Sequence, residues 1–132
     1  MGSPEIKTSI APWLSVSNSI KAVEFYKSAF NAAETYRLDV PGGVIARLSV
    51  NGAEFWVSDG STEAGSSAPE QLGGNTIRMI LTIANPDELF QRALKAGATE
   101  IFPIGEGHGW RLGRLTDPFG LHWEIGHPLN EE

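Results

Sequence analysis

Two side chains near the end of this chain are spaced for chemistry. His122 and Glu124 stand two residues apart, which puts both on one face of an extended strand. A carboxylate so placed against an apolar wall is a candidate general base. Arg47, Arg78 and Arg114 are candidate anion-binding groups. Trp13, Phe55 and Trp110 are flat surfaces on which a planar molecule can lie. Two further histidines carry less. His108 lies in the glycine-rich stretch Gly105–Gly109 and reads as mobile, and His127 precedes Pro128 near the end of the chain and reads as a surface residue. There is no cysteine, so disulfides, thiolate nucleophiles and Cys-ligated zinc are excluded.

The elements that hold these residues come in two copies. A shift of 67 positions brings Val16-Ser17-Asn18 onto Ile83-Ala84-Asn85, and Arg47-Leu48-Ser49 onto Arg114-Leu115-Thr116. The same shift brings Phe55-Trp56 onto His122-Trp123, and Ala22, Val23, Tyr26 and Ala29 onto Leu89, Phe90, Ala93 and Ala96. Ile10–Val16 and Ile77–Ile83 read as strands. Asn18 and Asn85 suit helix N-caps. The second start looks the stronger, with Pro86 at the first helical position and Glu88 placed for a capping box. Asn31 and Gly97 sit where each helix should stop. Three short strands follow each helix, near 34–40, 44–50 and 53–58, then near 99–103, 110–116 and 121–126. Asn51-Gly52 and Asp117-Pro118-Phe119-Gly120 are turn signals.

Each half is therefore βαβββ: repeat one spans about residues 7–59, a Gly- and Ser-rich connector about 60–74, and repeat two about 75–128. The pattern is α+β, and a ferredoxin-like or other sandwich also fits it. Two curved mixed sheets around a cleft account better for the doubling. Strand parity assigns the faces. Leu14, Val16, Met79, Leu81, Ile83, Trp123 and Ile125 pack under the helices. Ala11, Trp13, Ser15, Arg78, Ile80, Thr82, His122 and Glu124 face the cleft, with Ile45, Arg47, Leu112 and Arg114. The 67-residue shift carries His122 and Glu124 back to Phe55 and Val57, so both are assigned to the cleft too. Trp110 lies at its rim. Alternatively the arginines pair with Glu54, Asp39 or Glu106, and the tryptophans fill space.

A net charge of -6 argues against nucleic acid, since phosphate binding needs a basic face. No apolar run approaches a membrane span, and Met1 to Glu5 read as a short leader with no secretion signal. There is no phosphate loop and no dinucleotide fingerprint. Gly105-Glu106-Gly107-His108-Gly109 matches only in glycine content and opens no helix. No serine sits in a nucleophile elbow. Nothing calls for a coenzyme.

Three segments resemble a known family. Trp13–Phe30 (WLSVSNSIKAVEFYKSAF), Leu94–Ile101 (LKAGATEI) and Gly113–Ile125 (GRLTDPFGLHWEI) are similar to the vicinal-oxygen-chelate proteins. These comprise the glyoxalases, bleomycin-resistance proteins and extradiol dioxygenases, and the PhnB-like branch is the nearest in pattern. The resemblance implies paired βαβββ units, and frequent dimers whose ligand clefts draw on both subunits. It also implies four metal-ligand positions, which fall here on Ala11, Val57, Arg78 and Glu124. Only Glu124 can bind a metal, and Arg78 repels one. The expectation is that Arg78 pairs with Glu124 where the metal would sit, and that His122 is hydrogen-bonded within the cleft. The combined reading is a metal-free, cytoplasmic, homodimeric protein that binds and sequesters a planar or anionic small molecule. No nucleic acid, membrane or cofactor is implied. Whether it is an enzyme stays open. The alternative is a lyase or isomerase, metal-assisted or using Glu124 as general base.

Overall fold

The structure is a computed structural model that describes residues 5–61 and 63–129. The first four residues of the leader, and Thr62 of the connector, lie outside the described residues. The elements in chain order are β1 (Trp13–Val16), α1 (Ser19–Phe30), β2 (Ala33–Val40), β3 (Gly43–Val50) and β4 (Ala53–Asp59). There follow α2 (Pro69–Leu72), β5 (Met79–Thr82), α3 (Pro86–Ala96), β6 (Thr99–Gly107), β7 (Trp110–Thr116) and β8 (His122–Pro128).

Each half makes one four-stranded mixed sheet. The order is β1-β4-β3-β2 in the first and β5-β8-β7-β6 in the second. In each, the strand before the helix runs parallel to the last strand, and the other pairings are antiparallel. The fold is thus α+β with paired βαβββ units, and the two sheets do not close into a barrel.

One core serves both halves. Leu14, Val16, Val44, Ala46, Leu48 and Val57 are buried from the first sheet, and Leu81, Leu115, Trp123 and Ile125 from the second. Helix α1 buries Ala22, Val23, Phe25, Tyr26, Ala29 and Phe30, the spacing of one amphipathic stripe. Helix α3 contributes Leu89, Phe90 and Ala93. Aromatic rings cross the boundary: Tyr26 lies 5.7 Å from Trp123, Phe30 4.8 Å and Phe55 5.5 Å from it. Each such side chain contributes roughly 1.5–3 kcal/mol on burial, so separating the halves would forfeit much of the fold.

A buried carboxylate ties the same region. Asp117 Oδ2 accepts from the Tyr26 hydroxyl and from Trp123 Nε1 at 2.9 Å. Its Oδ1 accepts from the backbone N–H groups of Phe119 and Leu121 at 2.9 and 3.0 Å. Burial pushes this carboxyl above the usual carboxylate range, against the pull of its four donors. Burial, with the Asp117 charge added, also raises the Tyr26 phenol well above its ordinary value.

Three local expectations change. Asn18 caps α1 through its side chain, which accepts from Lys21 N–H at 3.1 Å, whereas Asn85 makes no side-chain cap despite the stronger signals after it. Asn85 has φ of -124° and ψ of 66°, outside the extended conformation that Asn18 adopts at -151° and 92°. Strand β6 extends to Gly107, four residues past the expected end, because glycines pair in a ladder when neighbours hold the register. His108 is then a turn residue, with φ of 52° beside Gly109 at 82°. The connector is not featureless either. It carries a Ser61–Ser66 bridge and the single turn of α2.

Candidate functional site

Opposite the core, each sheet presents an open face, and the pairing register writes one row of four side chains across each. On the first sheet the row is Trp13, Trp56, Arg47 and Tyr36. On the second it is Ile80, Glu124, Arg114 and Phe102. Trp13 aligns with Ile80 and Arg47 with Arg114 at the 67-residue shift, but Trp56 aligns with Glu124 at 68. The extra residue sits in the return turn. Ser49 and Glu54 are paired across four residues, and Thr116 and His122 across five. A one-residue slip turns every following side chain to the other face.

That slip corrects the sequence reading. Phe55 is buried between Tyr26 and Trp123, and Val57 is fully buried under α1, so neither faces the cleft. Trp56, between them, faces outward in line with Trp13 and Arg47. The remaining face assignments stand. Leu14, Val16 and Leu81 are buried, Met79 and Ile83 pack on the core, and Trp13, Ile80, Arg78, His122 and Glu124 lie on the open faces.

The first row is closed on itself. Trp13 and Trp56 stack at 5.1 Å and 6° between ring planes. Trp13 Nε1 donates to Ser58 Oγ at 2.8 Å. Tyr36 leans on Trp56 at 5.7 Å, and the Arg47 guanidinium covers that ring at 5.4 Å. Arg47 Nε donates to Thr35 Oγ1 at 2.9 Å and lies 3.4 Å from Glu54 Oε2.

The second row is charged. Arg78 Nε donates to Glu124 Oε2, the pair expected from the sequence. Glu124 is only 13% exposed in this pair, and Arg78 is 50% exposed. An Arg114 terminal nitrogen lies 3.1 Å from His122 Nδ1, so that ring nitrogen accepts and Nε2 carries the proton. Two recesses adjoin. One of about 260 Å³ is lined by Ile80, Trp110, Leu112 and Glu124. The other, of about 130 Å³, is lined by Asn75, Thr76, Ile77, Arg78, Arg114 and His122. Larger cavities lie where the halves meet: about 510 Å³ between β1 and the connector, with Trp13 and Leu72, and about 280 Å³ between Pro12 and Ile80.

The donor set does not fit a divalent metal. With the turn slip allowed for, the four equivalent positions are Ala11, Trp56, Arg78 and Glu124. Only one offers an anionic oxygen, and an arginine already holds it. His122 shares the face but is engaged with Arg114. Among the described residues no three His, Asp or Glu side chains are grouped to hold a metal ion. The alternative arginine partners are partly realised: Glu54 meets Arg47, while Asp39 meets Arg37 and Glu106 meets Arg111.

Comparison with known proteins follows the same lines. Residues 9–125 match the model of the Glyoxalase/Bleomycin resistance protein/Dioxygenase superfamily. The uncharacterised protein Rv0887c of Mycobacterium tuberculosis is 36% identical over 133 residues, covering 96% of this chain and 78% of that one. The crystal structure of TioX from Micromonospora sp. ML1 superposes with a TM-score of 0.73 at 25% identity, covering 93% of this chain and all of that one (100%). The fosfomycin resistance protein FosX of Listeria monocytogenes shares the fold, with a TM-score of 0.67 at 17% identity over 97% of this chain and 96% of its own.

Proposed function

This chain belongs to the Glyoxalase/Bleomycin resistance protein/Dioxygenase superfamily, and on that premise we propose that it binds a planar or anionic small molecule without a metal and releases it unchanged. The observation that carries this reading is the Arg78–Glu124 ion pair. It places a fixed cation of the protein where metal-dependent relatives need a vacant ligand set. The open faces supply the rest. Trp13 is 52% exposed, Ile80 59% and Phe102 60%, next to the arginines of both rows. Aromatic walls with a few placed charges are what a small flat anion requires.

Uncovered apolar side chains on both open faces also support a homodimer, in which a second copy closes the cleft. A net charge of -6 speaks against nucleic acid, and no described helix is long and apolar enough to cross a membrane. The lack of cysteine suits the cytoplasm. No coenzyme enters this reading.

The test is a tryptophan-fluorescence screen of small aromatic carboxylates, phosphonates and phenols, run with chelator present. Saturable quenching, with the compound recovered intact, supports sequestration. Turnover under the same conditions, lost in E124Q, would instead make Glu124 a general base in the apolar recess beside Trp110 and Leu112. No saturable quenching by any class contradicts the reading.

A further inference from the structure

Arg47 and Arg114 occupy the same address in the two halves, and only one of them is satisfied. Arg47 has a carboxylate in Glu54, a hydroxyl in Thr35 and the face of Trp56. At the second address all three have changed. The register puts His122 where Glu54 stands and Glu124 where Trp56 stands. The β6 residue facing Arg114 is Phe102, where β2 supplied Tyr36 with Thr35 beside it. Glu124 is held by Arg78. Among the described residues Arg114 has no carboxylate partner, only the His122 ring. Its Nε is buried with no acceptor at all. A buried guanidinium N–H left unpaired costs more than an exposed one, because it loses water and gains nothing.

We propose that the recess formed by Asn75, Thr76, Ile77, Arg78, Arg114 and His122 is a binding site for a small oxyanion head, a carboxylate or a phosphorus oxyanion. This rests on the small-molecule reading above and names the part of the ligand that the second half grips. The local charge favours an anion. Arg78 and Arg114 bring two positive charges and Glu124 one negative, so the cluster favours a single added anion. At about 130 Å³ the site is the smaller of the two recesses on this face, the other being about 260 Å³, which suits a compact head group. The ring or chain attached to that head would lie in the neighbouring recess of Ile80, Trp110 and Leu112. The fork of a guanidinium suits both oxyanion geometries.

The experiment is calorimetric titration of the full chain with inorganic phosphate and, separately, with acetate. At least one should bind saturably, one per chain. Phosphate alone marks a phosphorus head, and acetate alone a carboxylate. R114Q should weaken that binding about tenfold or more, the loss of one charge-assisted contact. E124Q should tighten it, because Arg78 is then freed. Should R114Q not fold, by circular dichroism and thermal melting, E124Q decides. Binding in E124Q unchanged or weaker than in the natural chain would overturn the site, as would no binding of either anion. If aromatic anions quench fluorescence equally in the natural chain and in R114Q, the oxyanion site fails while the broader reading survives. If phosphate or acetate binds but no aromatic compound does, the oxyanion site stands and the broader reading fails.

Discussion

The two open faces share one backbone plan and put it to opposite uses. On the first, Trp13, Trp56, Arg47 and Tyr36 satisfy one another: rings stack, the guanidinium covers a ring, Thr35 accepts its Nε–H and the Glu54 carboxylate balances its charge. On the second, Ile80, Glu124, Arg114 and Phe102 leave a cation without a carboxylate and a carboxylate that needs a cation from the neighbouring strand. A duplicated unit can keep one copy as a packed wall while the other carries exposed chemistry. The single residue added to the second return turn makes the difference, because it decides which side chains of β8 meet the open face.

The largest test of this comparison lies beneath both faces. Asp117 belongs to the added turn and bonds to Tyr26 of the first half. D117A should lower the unfolding free energy by about 3 kcal/mol or more, since it strands several buried donors. Urea denaturation measures it. The pH dependence has a definite sign. Asp117 has a raised folded value, so its contribution is fully present below about pH 4 and declines as pH rises through that value. The gap between natural chain and variant should therefore narrow with rising pH. A gap that widens would mean the four donors outweigh burial.

Two glycines sharpen the contrast next. A Cβ at Gly126 would lie 2.0 Å from the Arg111 carbonyl oxygen, and one at Gly43 would lie 1.9 Å from the Asp59 carboxylate. The first obstacle is backbone within the β7–β8 ladder, and the second is a side chain able to swing. G126A should cost about 2–3 kcal/mol and G43A less, by thermal or urea unfolding. Equal losses would show that Asp59, bonded to Ser19 N and Oγ at 3.0 and 2.7 Å, is as rigid as the ladder.

The smallest effect concerns the helix starts. N18A should cost about 1 kcal/mol, because the Lys21 N–H loses its acceptor. N85A should cost only a few tenths, since that side chain caps nothing. Similar losses in the two variants would return Asn85 to the capping role its sequence signals.

Much of this architecture is legible in the sequence. Alternation in Leu14 to Val16, the stripe from Ala22 to Phe30 and the turn at Asn51-Gly52 are local patterns, and local patterns survive into the fold. The Arg78–Glu124 pair was legible too, because two oppositely charged residues on neighbouring strands of one face have few other partners. The β4 face was not legible. An alignment of repeats fixes parity only where no residue is inserted, and the insertion lies in a turn whose length mimics a continuous match. Phe55 and His122 are similar enough in shape to conceal it. A different signal was available: Val57 between Trp56 and Ser58 gives β4 its own alternation, with Phe55 and Val57 apolar and Glu54 and Ser58 polar. The cap at Asn85 failed for another reason. Pro86 and Glu88 favour a helix start, but the chain entering from β5 sets the Asn85 backbone angles.

The central claim is that a protein cation has replaced a metal on the second open face. Its most direct test is elemental analysis of the protein purified without chelator, paired with calorimetric titration of nickel, zinc and manganese. The account predicts far less than one metal per chain and no stoichiometric binding by any of the three. One tightly held divalent ion per chain, displaced when Glu124 is changed to Gln, would contradict it.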